Sequence, residues 1–599
     1  MTEISFKGKE FVYNHHLSVP FRPLEMHADK GIGDPRLDGN LIIQGDNLHA
    51  LKALLPMYAG KVDCIFIDPP YNTGNEGWCY NDNVNAPMIK TWLENNPIGI
   101  EDGLRHDKWC AMMWPRLRLL HELLADDGAI FISIDDNEQA RLKAISDEIF
   151  GEENFVSSIV WEKRYSPQNA VKWFSESHDF VLIYARDKLN WYPNLLERSD
   201  EMNARYRNLD NDPRGVWKPA DATAQAGHGT RSQFYELAAP NGKKHSLPNG
   251  RCWVYTEEVF QKMVAENRVW FGSDGNNVPA IKRFLSEVKQ GTACQTIWKY
   301  NEVGHNQDAK KEIKDLFPEE LAFDTPKPST LIDRILQVGT DKNSIVLDSF
   351  SGSGTTAHSV IKANKRDGGN RKFILVEMED YADSLTAERV RRVINGYDFT
   401  GTQKTELLRQ KLSWTQLKKA DALVKSVDGI ENLHGHEYDK IAKTVKNGEL
   451  IVTGETKIKD KAEGLGGAFT YCTLGPPVEM DKILTGETLP TYEGLGAVLF
   501  HTATNMPLDT SAVEKDAFYL GQSESRHVWL IYRPDLDWLK SPDAALTLSF
   551  ARKIAAAKTD KPHLVFAPAR YVSQKMLASE NLAVEFAPLP FALYRVERE

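Results

Sequence analysis

Residues 344–365 read SIVLDSFSGSGTTAHSVIKANK. A short apolar run stops at Asp348, a turn places Gly352 and Gly354 two residues apart, and a helical pattern begins at Thr355. Strand, glycine-rich turn and helix in that order offer a ligand the free N–H groups of a helix start. Glycine lets it approach because it has no Cβ. The next apolar run, FILVEMED, carries Glu377 23 residues beyond Gly354. A carboxylate ending that strand can accept hydrogen bonds from ribose hydroxyls. Turn and acid together point to a nucleoside cofactor. The spacing is GxG rather than GxGxxG, and no Walker-type GxxxxGK occurs, so the turn alone does not name the ligand.

Upstream, LIIQ (41–44), VDCIFI (62–67), AIFISI (129–134) and FVLIYA (180–185) are short continuous apolar runs. Such runs suit strands covered on both faces, and helical patterns lie between them. One of these, WCAMMWPRLRLLHELLADDG (109–128), is expected to remain helical up to Gly128. Alternating strand and helix predicts an α/β, doubly wound parallel sheet. The segment 188–320 lacks a sustained period and is rich in Asn, Gly and aromatics; it reads as an insertion with its own compact structure or as binding loops. LLRQKLSWTQLKKADALVKSV (407–427) reads as a charged helix. HVWLIYR, LSFARKIAAAK and HLVFAPA read as strand, helix and strand of a further α/β region.

Composition bounds the class. With 599 residues, 41% hydrophobic and 26% charged, the chain is expected to be soluble, globular and multidomain. It has no apolar run long enough to span a membrane and no signal-like N-terminus, and its six cysteines lack CxxC spacing. A reduced cytoplasmic setting without a zinc site or disulfide framework is the expectation. Net charge is −11, yet residues 161–300 hold 20 Lys/Arg against 16 Asp/Glu. An acidic protein with a locally basic segment can still bind phosphates there. His434 and His436 in LHGHEYD, and His15-His16, have no supporting ligand cluster in sequence.

CIFIDPPYNTG (64–74) ends a strand on Asp68-Pro69-Pro70-Tyr71. Proline fixes φ and disfavours helical geometry in the residue before it, so two in a row make a stiff extended corner. Asp68 and a backbone carbonyl are both acceptors, and Tyr71 adds an aromatic face. Acceptors beside a stacking face suit a planar group bearing an amine, such as a nucleobase edge.

DPPYNTG together with DSFSGSGTT resembles the DNA amino-methyltransferases. NLIIQGDNLHALKAL (40–54) and FDTPKPSTLIDRIL (323–336) are similar to that family's segments near the cofactor. Catalytic motif first and cofactor loop last is the circularly permuted β-class order. DDGAIFISIDDNE, SHDFVLIYAR, WKYNEVGHNQDAKKEIKDLF and GGAFTYCTLG resemble the modification (Mod) subunits of type III restriction–modification systems.

The resemblance implies a permuted Rossmann-like S-adenosylmethionine-dependent fold carrying an inserted target-recognition domain and a C-terminal α/β-type domain. Its expected limits are an N-terminal arm 1–39, a catalytic half 40–189, the insertion 190–300, a cofactor half 301–399 and an assembly domain 400–599. It further implies methyl transfer to N6 of adenine in a specific duplex sequence by base flipping, without a metal. The expected partners are double-stranded DNA, a second copy of the chain and a restriction subunit. Asp68 and the Pro70 carbonyl would hold the amine, with Pro69 stiffening the corner and Tyr71 stacking on the base. Asp46, Asp348, Phe350, Gly352, Gly354, Glu377, Thr325, Lys327 and Ser329 would contact the cofactor. Asp46 is expected at the adenine, and Thr325, Lys327 and Ser329 near the methionine carboxylate. Asp135 and Asp136 read as a helix cap and are left out of the catalytic set. In the insertion, Arg205, Arg207, Arg214, Lys218, Arg231, Lys243 and Lys244 are the expected DNA contacts, while most of the interleaved aromatics are expected in its core. Methylation of cytosine N4, of RNA or of a protein amide, and a non-catalytic DNA-binding scaffold are the competing readings.

Overall fold

The computed structural model describes residues 3–73, 103–318, 323, 325–412, 414, 418, 420–446, 449–477, 489–504, 506–539 and 541–589. Gly74, which closes the DPPYNTG motif, Cys79 and Asp324 lie outside the described residues. The chain divides into two compact units, one of Met1–Tyr192 with Gln295–Glu599 and one of Pro193–Cys294.

The larger unit is built on ten strands: β1 (Leu24–Ile32), β2 (Leu41–Gln44), β3 (Val62–Ile67), β4 (Leu124–Ile134), β5 (Phe155–Trp161), β6 (Asp179–Ala185), β7 (Ile297–Trp298), β8 (Ile345–Asp348), β9 (Lys372–Glu377) and β10 (Phe469–Leu474). They form one sheet in the order β1-β10-β2-β9-β8-β3-β4-β6-β5-β7. The six strands from β10 to β4 are parallel. Leu41, Ile43, Ile65, Ile67, Leu347 and Ile374 are wholly buried in this block, which is why its strands are apolar on both faces. The antiparallel β6 and β1 extend it on either side.

The order of strands defines where a ligand can sit. β8 and β3 are neighbours, with Val346 opposite Cys64 and Leu347 opposite Ile65. From β8 the chain crosses through the helix Thr355–Asp367 to β9, on one side. From β3 it returns through the helix Arg105–Leu123 to β4, on the other side. Strand order therefore reverses between β8 and β3, and the crevice at their carboxyl ends is the binding position of open α/β sheets. Asp348 and Asp68 stand at those two ends.

Several expectations need correction. The helix expected to reach Gly128 ends at Leu123, and 124–128 already belong to β4, where Leu124 pairs with Val62. Gly128 is a close-approach residue and not a helix stop, since a Cβ there would lie 2.8 Å from the Val62 carbonyl. The expected helix at 407–427 is split. Leu407–Lys411 continue the strand Gly396–Lys411, which pairs with Glu449–Glu463, and a helix is described over Ala420–His434. Leucines and charges there satisfy a helical pattern, but distant strand pairing overrides local preference. The limits at 39 and 400 also cut through the sheet. β1 comes from the expected arm, and β10 from the expected assembly domain is inserted between β1 and β2.

After β10, Tyr519–Gln522, His527–Leu530, His563–Ala567 and Val584–Pro588 form a second sheet whose last three strands are parallel. Met57 packs into its core beside Leu499 and Phe566, and Leu508 N–H donates to the Pro56 carbonyl. Among the described residues, no helix is long and apolar enough to cross a membrane, and no His/Cys/Asp/Glu group is arranged to hold a metal.

The Pro193–Cys294 unit contains the three-stranded antiparallel sheet Val269–Trp270, Ala280–Phe284 and Trp217–Asp221. Trp253, Phe260, Leu237 and Phe271 form its core. Lys282 is buried there and pairs with Asp210 and with Asp212, its Nζ 5.3 Å from the Trp217 ring.

Candidate active site

The Asp68–Tyr71 corner is held from behind. Trp109, fully buried in the helix Arg105–Leu123, donates from Nε1 to the Pro70 carbonyl at 2.7 Å. Asn72 follows with φ +58°, a left-handed conformation that asparagine tolerates better than most residues. Its amide donates to the Arg105 carbonyl at 3.3 Å and to the buried Glu138 carboxylate. Glu138 also pairs with His106, 2.5 Å away. Tyr71 is half-buried, its hydroxyl hydrogen-bonded to Ser133 Oγ at 2.6 Å. Burial, with the charges of Asp68 and Asp179 nearby, pushes that hydroxyl well above the ordinary tyrosine range. The ring is thus anchored by its far end.

Asp68 itself is shared between two environments. Its Oδ2 accepts from Lys327 Nζ at 2.5 Å, and the same ammonium lies 5.0 Å from the Tyr71 ring centre. Its Oδ1 is buried and has no hydrogen-bond partner among the described residues. A buried acceptor without a donor is costly in a folded protein and marks a place where a donor from elsewhere is expected.

The glycine loop faces the same crevice. Asp348 is buried and accepts from Thr356 Oγ1 at 2.5 Å and from Phe350 N–H at 3.1 Å. Burial pushes its carboxyl up to about 7 despite those bonds. Glu377 accepts from the N–H groups of Gly352 at 2.7 Å and Glu379 at 3.1 Å, and burial again pushes it up to about 7. Gly354 caps the helix Thr355–Asp367 at φ +77°, and a Cβ there would meet the Thr386 carbonyl at 3.0 Å. Its glycine is required by conformation and by the neighbouring turn alike.

Corner and loop line one cleft of about 790 Å³, together with Thr325 and Lys327. Lys163 and Asp179, to which no role attached in the sequence, line it too and form an ion pair at 2.5 Å. Burial raises the Asp179 carboxyl against the pull of Lys163 and Lys327. Asp135 is also in the lining, its carboxylate accepting from the backbone and side chain of Asn137.

Not every expected residue falls in the cleft. Asp46 is a helix cap, accepting from Leu48 N–H at 3.0 Å and His49 N–H at 3.2 Å, with Arg116 at 3.4 Å. Burial opposes its charge, but the His49 hydrogen bond and Arg116 hold it at about 2. Its neighbour Asn47 lines the cleft instead and donates to the Ser349 carbonyl at 3.2 Å. Ser329 opens the helix Ser329–Gly339 outside the cleft lining, its N–H donating to Glu312. Lys327 is in the cleft but bonded to Asp68, rather than held for a cofactor carboxylate alone. The Pro70 carbonyl already accepts one hydrogen bond, from Trp109.

In the Pro193–Cys294 unit, Arg205, Arg207, Arg231, Lys243 and Lys244 are exposed. Lys243 donates to the Asn276 carbonyl, and Lys244 lies 3.4 Å from Glu236. Arg214 is a structural residue. It makes two side-chain bonds to buried Asp212, at 2.8 and 2.6 Å, and covers the Phe284 ring. Those bonds hold the Asp212 carboxyl well below the usual range. Lys218 lies over the ring of Tyr206 at 5.2 Å. Of the unit's aromatics, Tyr206 and Trp217 are buried and Phe234 is exposed, while Trp191, buried, and Tyr192, exposed, belong to the larger unit.

Residues 62–388, more than half of the chain, match the family described as DNA methylase. The chain belongs to the DNA methylase family. The matched span begins at β3 and includes both the corner and the glycine loop. Similar curated proteins include the StyLTI Mod subunit of a type III restriction–modification enzyme from Salmonella typhimurium, 37% identical over 379 residues, which are 59% of this chain and 57% of that protein. The EcoP15I Mod subunit of Escherichia coli is 30% identical over 408 residues, 60% of this chain and 61% of that protein. The type II methyltransferase M.KpnI of Klebsiella pneumoniae is 30% identical over 351 residues, covering 56% and 79%. The chain thus spans about three fifths of the length of the type III relatives named here. Among solved structures, PvuII DNA methyltransferase (cytosine-N4-specific) aligns over 60% of this chain and 89% of its own at 12% identity and a TM-score of 0.31.

Proposed function

We propose that this DNA methylase transfers a methyl group from S-adenosylmethionine to the N6 amine of a flipped adenine in a specific duplex sequence. In this reading it is the modification subunit of a type III restriction–modification or related defence system, acting as a homodimer with a separate restriction subunit. The observation that carries it is the cleft shared by the Asp68–Tyr71 corner and the glycine loop, in which Asp68 Oδ1 is buried with no donor among the described residues.

The residues present fit the cofactor. Asp348, Phe350, Gly352 and Glu377 would hold it, and Ser349 Oγ, buried in the same lining without a partner among the described residues, is a further acceptor or donor for it. When bound, the cofactor supplies a methyl group already activated by a sulfonium. The rest is positioning and charge placement. Asp68 Oδ1 accepts from the target amine, and Tyr71 stacks on the base while its hydroxyl is tied to Ser133. Trp109 fixes the corner through Pro70. The amine nitrogen that accepted this methyl would become cationic, and its surplus proton would pass to solvent by way of Asp68 Oδ1. Lys327 keeps Asp68 Oδ2 occupied, so Oδ1 is the oxygen offered to the amine. An exocyclic amine inside a duplex cannot reach such a cleft, so the nucleotide must leave the stack. Exposed Arg205, Arg207, Arg231, Lys243 and Lys244 are the candidates for phosphate and base contacts.

Incubation with duplex DNA and methyl-labelled S-adenosylmethionine, followed by hydrolysis, tests this directly. Labelled N6-methyladenine that disappears in Asp68→Ala is expected. Labelled N4-methylcytosine would shift the reading to cytosine, and cofactor binding without transfer to any duplex would favour a scaffold.

A further inference from the structure

The connection from β5 to β6, residues 162–178, is 17 residues long and contains neither helix nor strand. Loops of that length inside a compact unit are uncommon and usually functional. Its two ends stand at the cleft, where Lys163, Glu176 and Asp179 are part of the lining. Its first half also lines an adjoining groove of about 560 Å³ with His305 and Lys310, and the two cavities have Lys163, Asn306 and Thr325 in common. The base of the loop is fixed. Arg164 N–H donates to the Ser177 carbonyl at 3.2 Å, Gln168 N–H donates to Ser175 Oγ at 2.8 Å, and Lys163 pairs with Asp179.

Among the described residues no comparable bond fixes the outer part, which carries two adjacent aromatics. Trp173 is 81% exposed and Phe174 91% exposed, next to Val171 at 39%. Two adjacent aromatics left in water contribute nothing to the core and are unfavourable as they stand. Lys172 Nζ lies 5.0 Å from the Trp173 ring, and Arg164 and Lys310 line the adjoining groove, with Glu176 the one carboxylate of the loop after Phe174. Aromatic side chains flanked by cations, at the rim of a cleft meant for a single base, match the chemistry of a nucleic-acid stack bordered by phosphates.

We propose that Trp173 and Phe174 are a wedge that enters duplex DNA where the target nucleotide leaves it, stacking on the bases left behind, while Arg164 and Lys310 meet the flanking phosphates. This inference rests on the duplex-DNA reading above. The wedge compensates for the stacking and pairing lost on extrusion, so its contribution is largest when the target is properly paired and small when that pair is already weakened.

The test compares wild type, Trp173→Ala/Phe174→Ala and Trp173→Phe/Phe174→Tyr on two duplexes built around a site mapped from methylated DNA. In one the target adenine is paired; in the other it faces an abasic position. On the paired duplex the double alanine variant is expected to lose about tenfold or more in single-turnover methylation, the scale of one lost stack. On the abasic duplex it is expected to come within about twofold of wild type. The aromatic variant should stay near wild type on both, and cofactor affinity should be unchanged in all three. Equal loss on both duplexes, or no loss on either, would overturn the wedge. So would a change in assembly mass by light scattering in the alanine variant, which would assign the aromatics to a protein partner. A wild-type protein that methylates neither duplex nor any other DNA would overturn the duplex reading itself, and the wedge with it.

Discussion

Lys327 Nζ lies 2.5 Å from Asp68 Oδ2, although 259 positions separate the two residues in the chain. The pair links the segment before the glycine loop to the corner that ends β3, adding an ionic contact across the cleft to the pairing of β3 with β8. The lysine side chain is 10% exposed and the aspartate 21%, which places the pair between the weak surface regime and the costly buried one.

Lys327→Met is therefore expected to leave Asp68 with both oxygens unsatisfied and turned freely. The turnover number should fall by about 10–100-fold with a much smaller change in the KM for DNA, and Lys327→Arg should recover part of the loss. Unfolding free energy should drop by about 1–3 kcal/mol, below the full buried-pair figure because of the partial exposure. Single-turnover kinetics and urea unfolding on the same preparations check both.

Trp109→Phe keeps the buried ring but removes the donor to the Pro70 carbonyl. A carbonyl left without its partner costs about 1–3 kcal/mol. Methyl transfer is expected to slow by at least tenfold while cofactor affinity, measured by calorimetry, stays within about twofold. A variant that binds cofactor poorly would instead mean that Trp109 supports the glycine loop.

Glu377 and Asp348 carry the pH dependence. Both are raised to about 7 by burial, above their ordinary carboxylate values. In the window between those ordinary values and about 7 the folded protein binds more protons than the unfolded chain, so stability falls as pH rises. The slope is about 1.4 kcal/mol per pH unit for each group. Histidines whose charge burial disfavours, His16 and His121 among them, act with the opposite sign below pH 6.5, so the effect is read as a difference: relative to wild type, Glu377→Gln should remove a fall in stability between about pH 5 and pH 7. Cofactor affinity is expected to run the other way, rising through pH 7 as Glu377 ionises to accept ribose hydroxyls. That rise should be absent in the glutamine variant.

Arg214 and Arg231 separate fold from contact within the Pro193–Cys294 unit. Arg214→Ala strips two bonds from buried Asp212 and uncovers Phe284, and is expected to lower the melting temperature of the protein by several degrees. Arg231→Ala should leave melting unchanged, weaken DNA binding and reduce the salt slope of log K by about one phosphate contact. Anisotropy titrations at several salt concentrations distinguish the two.

The strands of the parallel block were readable because burial on both faces leaves only one polar residue each in LIIQ and VDCIFI, Gln44 and Asp63. The corner acquired a reading only beside the glycine loop, because an acid followed by two prolines fits a strand stopped by proline equally well. Other features depend on residues far apart. Nothing in YCTL announces that it will lie between β1 and β2, and nothing in WCAMMW tells which indole will reach Pro70. Leu407–Lys411 failed for a related reason: its partner strand begins about 40 residues later, beyond the reach of any local pattern. Asp46 is taken up by a helix cap while its neighbour Asn47 lines the cleft, a difference of one position that the sequence pattern does not resolve. Asp179 and Lys163 went unassigned because a charge at a strand end is ordinary until the fold puts it in a cleft.

The position of β10 also has a consequence in time. β2 is bordered by β9 and β10, and on a ribosome adding roughly 5–20 residues per second the interval between the end of β2 and the end of β10 is on the order of 20–90 s. For that period one edge of a strand led by Leu41, Ile42 and Ile43 has no native neighbour, which is the condition that favours pairing with other nascent chains. Shortened versions of the gene that stop before residue 474 make that condition permanent. They should accumulate as insoluble protein even though every residue lining the cleft has been made.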